Sequence, residues 1–216
     1  MKTPVSVYSE IWSVTPKRPI LAALMLALNL LPSICSFKSH DLRLQGAVNR
    51  GLDRHAGTVV VIDIESQEIL AAHNLEFAGK QLLRPGSTLK PFVVMELLDS
   101  DKPDPKQRLI CRRPLRIAGL RLDCSHTSEV TQLDTDDAIA YLCNSYIAEA
   151  SLRMNGIALA EALAGLDSLT GLANNESAGH IDRPATQEQL QLLALGARGI
   201  DVTPLELLAA YRKLAK

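Results

Sequence analysis

Apolar residues change their spacing several times along the chain, and each change marks a predicted element. Over residues 37–56, Leu42, Leu44, Val48 and Leu52 stand among arginines and aspartates, the spacing of a short amphipathic helix ending near Gly57. A β-branched run over 58–64, a turn at Glu65, Ser66 and Gln67, and an apolar run over 68–73 predict a two-stranded hairpin. Residues 74–83, rich in Gly, Lys and Gln, read as a loop. The next helix runs from Ser87 to about Ser100, with Leu89, Phe92, Val93, Glu96 and Leu97 at core spacing and Pro91 tolerated in the first turn. Two prolines and three aspartates between Asp99 and Pro105 then break the pattern.

Residues 106–130 are basic and irregular, and predict loops and short strands. Asp134 as N-cap with Asp137 at N3 starts a helix that breaks near Leu142, Cys143, Asn144 and Ser145, before a second helix from Tyr146 to Met154. Residues 155–200 are Ala-, Leu- and Gly-rich and mostly helical. Thr203 at N-cap, Pro204 at N1 and Glu206 at N3 form a capping box, so a final helix starts there.

Composition narrows the picture. A chain of 216 residues, 47% hydrophobic and 4% aromatic, buries one sizeable core built from Leu, Ala and Ile. A net charge of -1 offers no basic surface for nucleic acid. At the N-terminus, Lys17 and Arg18 precede an apolar run from Ile20 to Leu31 that is closed by Pro32. It is shorter than the ~18 residues of a spanning helix and suits the apolar region of an export signal. Residues 1–36 are therefore read as a signal peptide or membrane anchor, with the rest of the chain exported to the periplasm or another extracytoplasmic space, and 37–56 as a linker helix. Four cysteines fit an oxidising compartment, and Cys111 and Cys124 flank a segment across which a pair could form. A metal site from Cys111, Cys124 and His126 has no familiar ligand spacing, so no metal is expected.

The candidate chemistry sits at Arg84-Pro-Gly-Ser-Thr-Leu-Lys-Pro-Phe92. Ser87 lies three residues before Lys90 at the start of a helix, so a hydroxyl and an amine leave from one face. An amine beside a hydroxyl is an activated-nucleophile arrangement, and the free N–H groups of a helix start polarise a carbonyl. The tetrad S-x-x-K alone is weak, because it arises by chance in many chains. The longer string resembles the nucleophile motif of the penicillin-binding transpeptidases and serine β-lactamases, whose signature adds S-x-N and K-T-G.

Other stretches extend the resemblance. The hairpin over 57–73 is similar to the one that opens the transpeptidase domain. Cys143, Asn144 and Tyr146 match the family's Ser-Cys-Asn followed by an aromatic residue, with Leu142 standing at the serine position. Seen alone, Asn144 reads equally well as a helix C-cap or turn residue. Gly196 to Tyr211 resembles the Thr-Pro-Leu segment that precedes the K-T-G strand in the family, and no K-T-G or K-S-G follows it here. The resemblance covers residues 57–216 and implies a partial transpeptidase domain: an α/β (α+β) penicillin-binding transpeptidase/β-lactamase-like fold, with a helical subdomain and an incomplete antiparallel sheet. It also implies a D,D-transpeptidase acting on peptidoglycan stem peptides, in which Ser87 is the nucleophile, Lys90 its base and Asn144 both a catalytic and a substrate-binding residue. No cofactor is implied. Peptidoglycan stem peptides and β-lactam antibiotics are the implied partners, together with the cytoplasmic membrane where residues 1–36 act as an anchor. Leucine at position 142 cannot relay a proton, and Ser145 cannot take over, since three residues along a helix turn a side chain about 60° away. A catalytically degenerate binding or scaffold protein and a serine β-lactamase are the alternatives.

Overall fold

The computed structural model describes residues 41–53, 55–99, 104–166 and 168–216. The export segment expected over 1–36 lies outside the described residues. Among the described residues no helix is long and apolar enough to cross a membrane.

The molecule is mixed α/β, with helices and short antiparallel strand pairs in one compact unit over residues 39–216. Helix α1 (Leu42–Leu52) is capped by Asp41, whose carboxylate accepts from the backbone of Arg43 and Leu44. It lies on the hairpin of β1 (Val59–Ile62) and β2 (Ile69–His73), joined antiparallel with an irregularity between Val61 and Ile62. Residues 42–52 are thus integrated into the fold: Gln45 donates through Nε2 to the Ala72 carbonyl (3.0 Å), and its Oε1 accepts from the Ala72 N–H (3.1 Å).

The stretch expected as a loop after the hairpin contains a helix, α2 (Leu75–Lys80). Gly79 obscures it in the sequence. A side chain there would come within 3.2 to 3.3 Å of Ala173, Glu176 and Leu205, so glycine is kept for close packing. A 3-10 turn over Gly86–Leu89 then opens α3 (Lys90–Asp99). The predicted helix is in place, but its first turn is tightened.

Residues 104–133 form the expected short strands, β3 (Leu109–Ile110), β4 (Arg116–Ile117), β5 (Leu120–Arg121) and β6 (Gln132–Leu133), paired β3 with β6 and β4 with β5. Helix α4 (Thr135–Ala140) begins at Asp134, which accepts from the Asp137 N–H as its spacing predicts. Helix α5 (Asn144–Ser151) starts two residues earlier than expected, because the sulfur of Cys143 serves as its cap and accepts from the Tyr146 N–H. Helices α6 (Gly156–Leu163) and α7 (Gln187–Ala194) follow, then the β7 (His180–Ile181) and β8 (Ile200–Asp201) pair, and α8 (Pro204–Leu214) with its capping box intact.

The core runs between α3, α5, α6 and α7. Leu89, Leu97, Ile147, Leu159, Leu163 and Leu193 are all fully buried there. This Leu- and Ala-rich packing accounts for a core with little aromatic content. The hairpin expected as the visible part of one sheet is one of four separate two-stranded pairs among the described residues.

Candidate active site

The 3-10 turn places Ser87 and Lys90 three residues apart where i and i+3 side chains eclipse, so the tightened turn aligns them more closely than an α-helix would. Ser87 is exposed, and Lys90, three residues on, is completely buried. The turn is clamped from behind. Gly86, in a left-handed conformation (φ 56°), donates its N–H to the Gly196 carbonyl at 3.0 Å. A Cβ on Gly196 would sit 2.5 Å from the Gly86 carbonyl oxygen, so only glycine permits this approach. Leu83 and Val202 exchange backbone hydrogen bonds at 2.9 Å. The Tyr211 hydroxyl of α8 donates to the Thr88 carbonyl (2.6 Å), and its ring meets Phe92 edge-on at 5.1 Å.

Lys90 reaches the turn between α4 and α5. Its Nζ donates to the Leu142 carbonyl and to Asn144 Oδ1, each at 2.5 Å. Burial lowers the Lys90 pKa to about 8, against a weaker opposing pull from the sulfurs of Cys124 and Cys143. A neutral amine has two N–H bonds and one lone pair. With both hydrogens held by Leu142 and Asn144, the lone pair is left as the proton acceptor.

Asn144 is the first residue of α5, neither a helix C-cap nor a plain turn residue. Its Nδ2 donates to the Leu122 (3.0 Å) and Asp123 (3.3 Å) carbonyls, which fixes the amide orientation and aims Oδ1 at Lys90. Both amide hydrogens are thereby spent. This narrows the expected substrate-holding role of Asn144 to the remaining lone pair of Oδ1.

Leu142 closes α4 in a left-handed conformation (φ 48°), with its N–H donating to Ile139 and the Cys143 N–H donating to Ala138, a helix stop that ordinarily takes glycine. Its side chain is exposed, while its carbonyl faces the lysine. Ser145 is buried and its hydroxyl accepts from the Arg112 N–H (2.8 Å), so it anchors the β3 side of the fold and offers nothing to Lys90. Sequence reading missed Leu122, Asp123 and the Leu142 carbonyl because backbone acceptors leave no signature in residue type. Tyr211 did leave one, as the last residue of the Thr-Pro-Leu segment. A cleft of about 650 Å³ lined by Asp182, Arg183, Gln189 and Arg198 includes none of Ser87, Lys90 and Asn144.

Three comparisons bear on this geometry. The transpeptidase domain of the apo penicillin-binding protein 3 structure from Burkholderia pseudomallei superposes with a TM-score of 0.67 at 19% identity, covering 83% of this chain and 56% of that one. The probable peptidoglycan D,D-transpeptidases PenA of Neisseria gonorrhoeae and of Neisseria meningitidis serogroup B are each 34% identical over 82 residues, 29% of this chain. The matched stretch spans 14% of their length. Residues 57–216 match the sequence pattern of the penicillin binding protein transpeptidase domain, and the chain belongs to that family.

Proposed function

We propose that this chain carries the nucleophile and base of a serine D,D-transpeptidase site acting on peptidoglycan stem peptides. The observation that carries the reading is the fully buried Lys90 three residues after the exposed Ser87 across a 3-10 turn, its Nζ donating to Leu142 and Asn144 and its pKa brought down to about 8. In its neutral form Lys90 accepts the Ser87 proton as Oγ attacks the penultimate D-alanine carbonyl. An acyl-enzyme forms, and the terminal D-alanine leaves with a proton returned by the lysine. Among the described residues the Ser87 N–H makes no hydrogen bond, which leaves it for the developing oxyanion. Asn144 holds Lys90 in place. The PenA relatives bear the name peptidoglycan D,D-transpeptidase, which agrees with this substrate class. Export, with residues 1–36 as signal or membrane anchor, is part of the proposal, because peptidoglycan lies outside the cytoplasm.

A second reading, β-lactam or peptide binding without turnover, is favoured by one observation. Among the described residues no side-chain hydroxyl joins Lys90 in its hydrogen bonds, since Leu142 contributes only its carbonyl and Ser145 accepts from Arg112. A fluorescent penicillin separates the two readings. Covalent label that maps to Ser87 and is lost in Ser87→Ala supports acyl transfer; a folded chain that takes no label rules out the enzyme and leaves only binding.

A further inference from the structure

Cys111 follows β3, Cys124 and His126 follow β5, and Cys143 caps α5, so four distant positions are brought to one point. Their ligand atoms all lie within 4.8 Å of one another. The sulfur separations are 3.7 Å (Cys111 to Cys124), 3.5 Å (Cys124 to Cys143) and 3.7 Å (Cys143 to Cys111), a nearly equilateral triangle. His126 Nε2 is 3.7 Å from the Cys111 sulfur.

We propose that Cys111, Cys124, His126 and Cys143 form a structural zinc site. Four ligands around a tetrahedral Zn²⁺, with Zn–S near 2.3 Å and Zn–N near 2.0 Å, stand about 3.8 Å apart sulfur to sulfur and about 3.5 Å sulfur to nitrogen. The three sulfur separations are within 0.3 Å of the first value and the Cys111-to-His126 separation is close to the second, while the other two sulfur-to-nitrogen pairs, within 4.8 Å, need the half-buried imidazole to move inward. Three soft thiolates and one imidazole in a tetrahedral set select zinc among divalent ions, and four protein ligands leave no open position, which makes the role structural. A disulfide uses two of the three equidistant sulfurs and gives no reason for the third or for the histidine.

The surroundings are those of a ligand set. The Ser145 N–H donates to the Cys124 sulfur and the Tyr146 N–H to the Cys143 sulfur, each at 3.4 Å, so the first turn of α5 supports sulfur charge. The Thr127 carbonyl lies 3.1 Å from His126 Nδ1, placed to accept from the Nδ1–H tautomer, the one that leaves the Nε2 lone pair for a metal. Arg113 Nη2 lies against the ring, 2.6 Å from Nδ1 and 3.2 Å from Nε2, and 3.1 Å from the same carbonyl, so on zinc binding it keeps the carbonyl and cedes both ring nitrogens. Binding converts three thiols to thiolates and releases their protons to solvent, while the zinc keeps its oxidation state. The site also bears on the lysine, because Cys143 sits between Leu142 and Asn144, the two residues that hold Lys90 Nζ. That consequence rests on the function proposed above; the site itself does not.

The test is metal analysis of the purified full chain. One zinc per chain is expected to survive desalting, and replacement by Co²⁺ is expected to give thiolate-to-cobalt charge-transfer absorption with the intense visible bands of a tetrahedral ion. His126→Ala, on the rim of the site, is expected to lower zinc affinity by more than the roughly 100-fold typical of losing an outer-shell partner, with unchanged circular dichroism. Cys143→Ser is the stronger change, but that side chain is wholly buried and the variant can fail to fold, so His126→Ala carries the test. Chain that takes up neither Zn²⁺ nor Co²⁺ overturns the proposal, as does a disulfide among the three cysteines in protein purified without reductant. Loss of penicillin labelling with zinc retained would count against the acylation site and leave the metal site standing.

Discussion

At the scale of single residues, the site turns on how Lys90 is kept neutral. With a pKa near 8, the neutral fraction rises from about a tenth at pH 7 to about nine tenths at pH 9, so the rate of penicillin acylation is expected to climb about tenfold over that interval. A rate profile flat from pH 7 to 9 would show that another group takes the proton. The same lowered pKa links stability to pH: its contribution is fully present above the ordinary lysine range and is lost as pH falls through about 8. Lys90→Met keeps the bulk and removes the amine, and is expected to cut acylation by about 10² to 10⁴, read by stopped-time labelling. Leu142 occupies a left-handed helix stop with its side chain partly exposed, so Leu142→Gly is expected to stabilise the fold by about 1 kcal/mol. Thermal unfolding would read this as a rise of about 2 to 4 °C.

At the scale of elements, the parts most legible in the sequence are those whose ends are written in side chains. Asp134 and Thr203 cap where their spacing places them, and the hairpin follows its β-branched run. Thr203 is buried and engaged in a reciprocal cap, so Thr203→Ala is expected to cost about 1 to 2 kcal/mol in urea unfolding. What the sequence hid was set by tertiary contact. Helix α2 passed for a loop because its glycine serves packing against Ala173, Glu176 and Leu205, none of them near it in the chain. Cysteine 143 gave no sign of capping α5, since a sulfur acceptor is outside the usual cap residues. The nucleophile turn was legible as a motif, but its clamp was not, because Gly196 acts through a contact with backbone 110 residues away. Gly196→Ala is expected to displace that turn and to slow labelling of Ser87 more than Tyr211→Phe, which removes a single hydrogen bond to Thr88.

At the scale of the whole molecule, stability is uneven. Helices α3, α5 and α7 share the buried core, whereas residues 104–133 reach it through Ile117, Cys124 and Leu133 and are otherwise held by two-residue strands and the cysteine cluster. Amide exchange is expected to be fastest in that segment and to accelerate further on chelation, with α3 and α5 the slowest. The hairpin carries a different consequence. Where a neighbouring strand would bond to the outer side of β2, the Gln45 amide already does so, giving and taking a hydrogen bond at Ala72, while the Asp41 N–H takes the Leu70 carbonyl. A side chain in that position imitates one residue of strand and stops the ladder, since it has no further backbone to propagate. The sheet therefore has a direction of growth. Any additional strand, from this polypeptide or another, must add along Val59–Ile62, and helix α1 acts as the sheet's terminus.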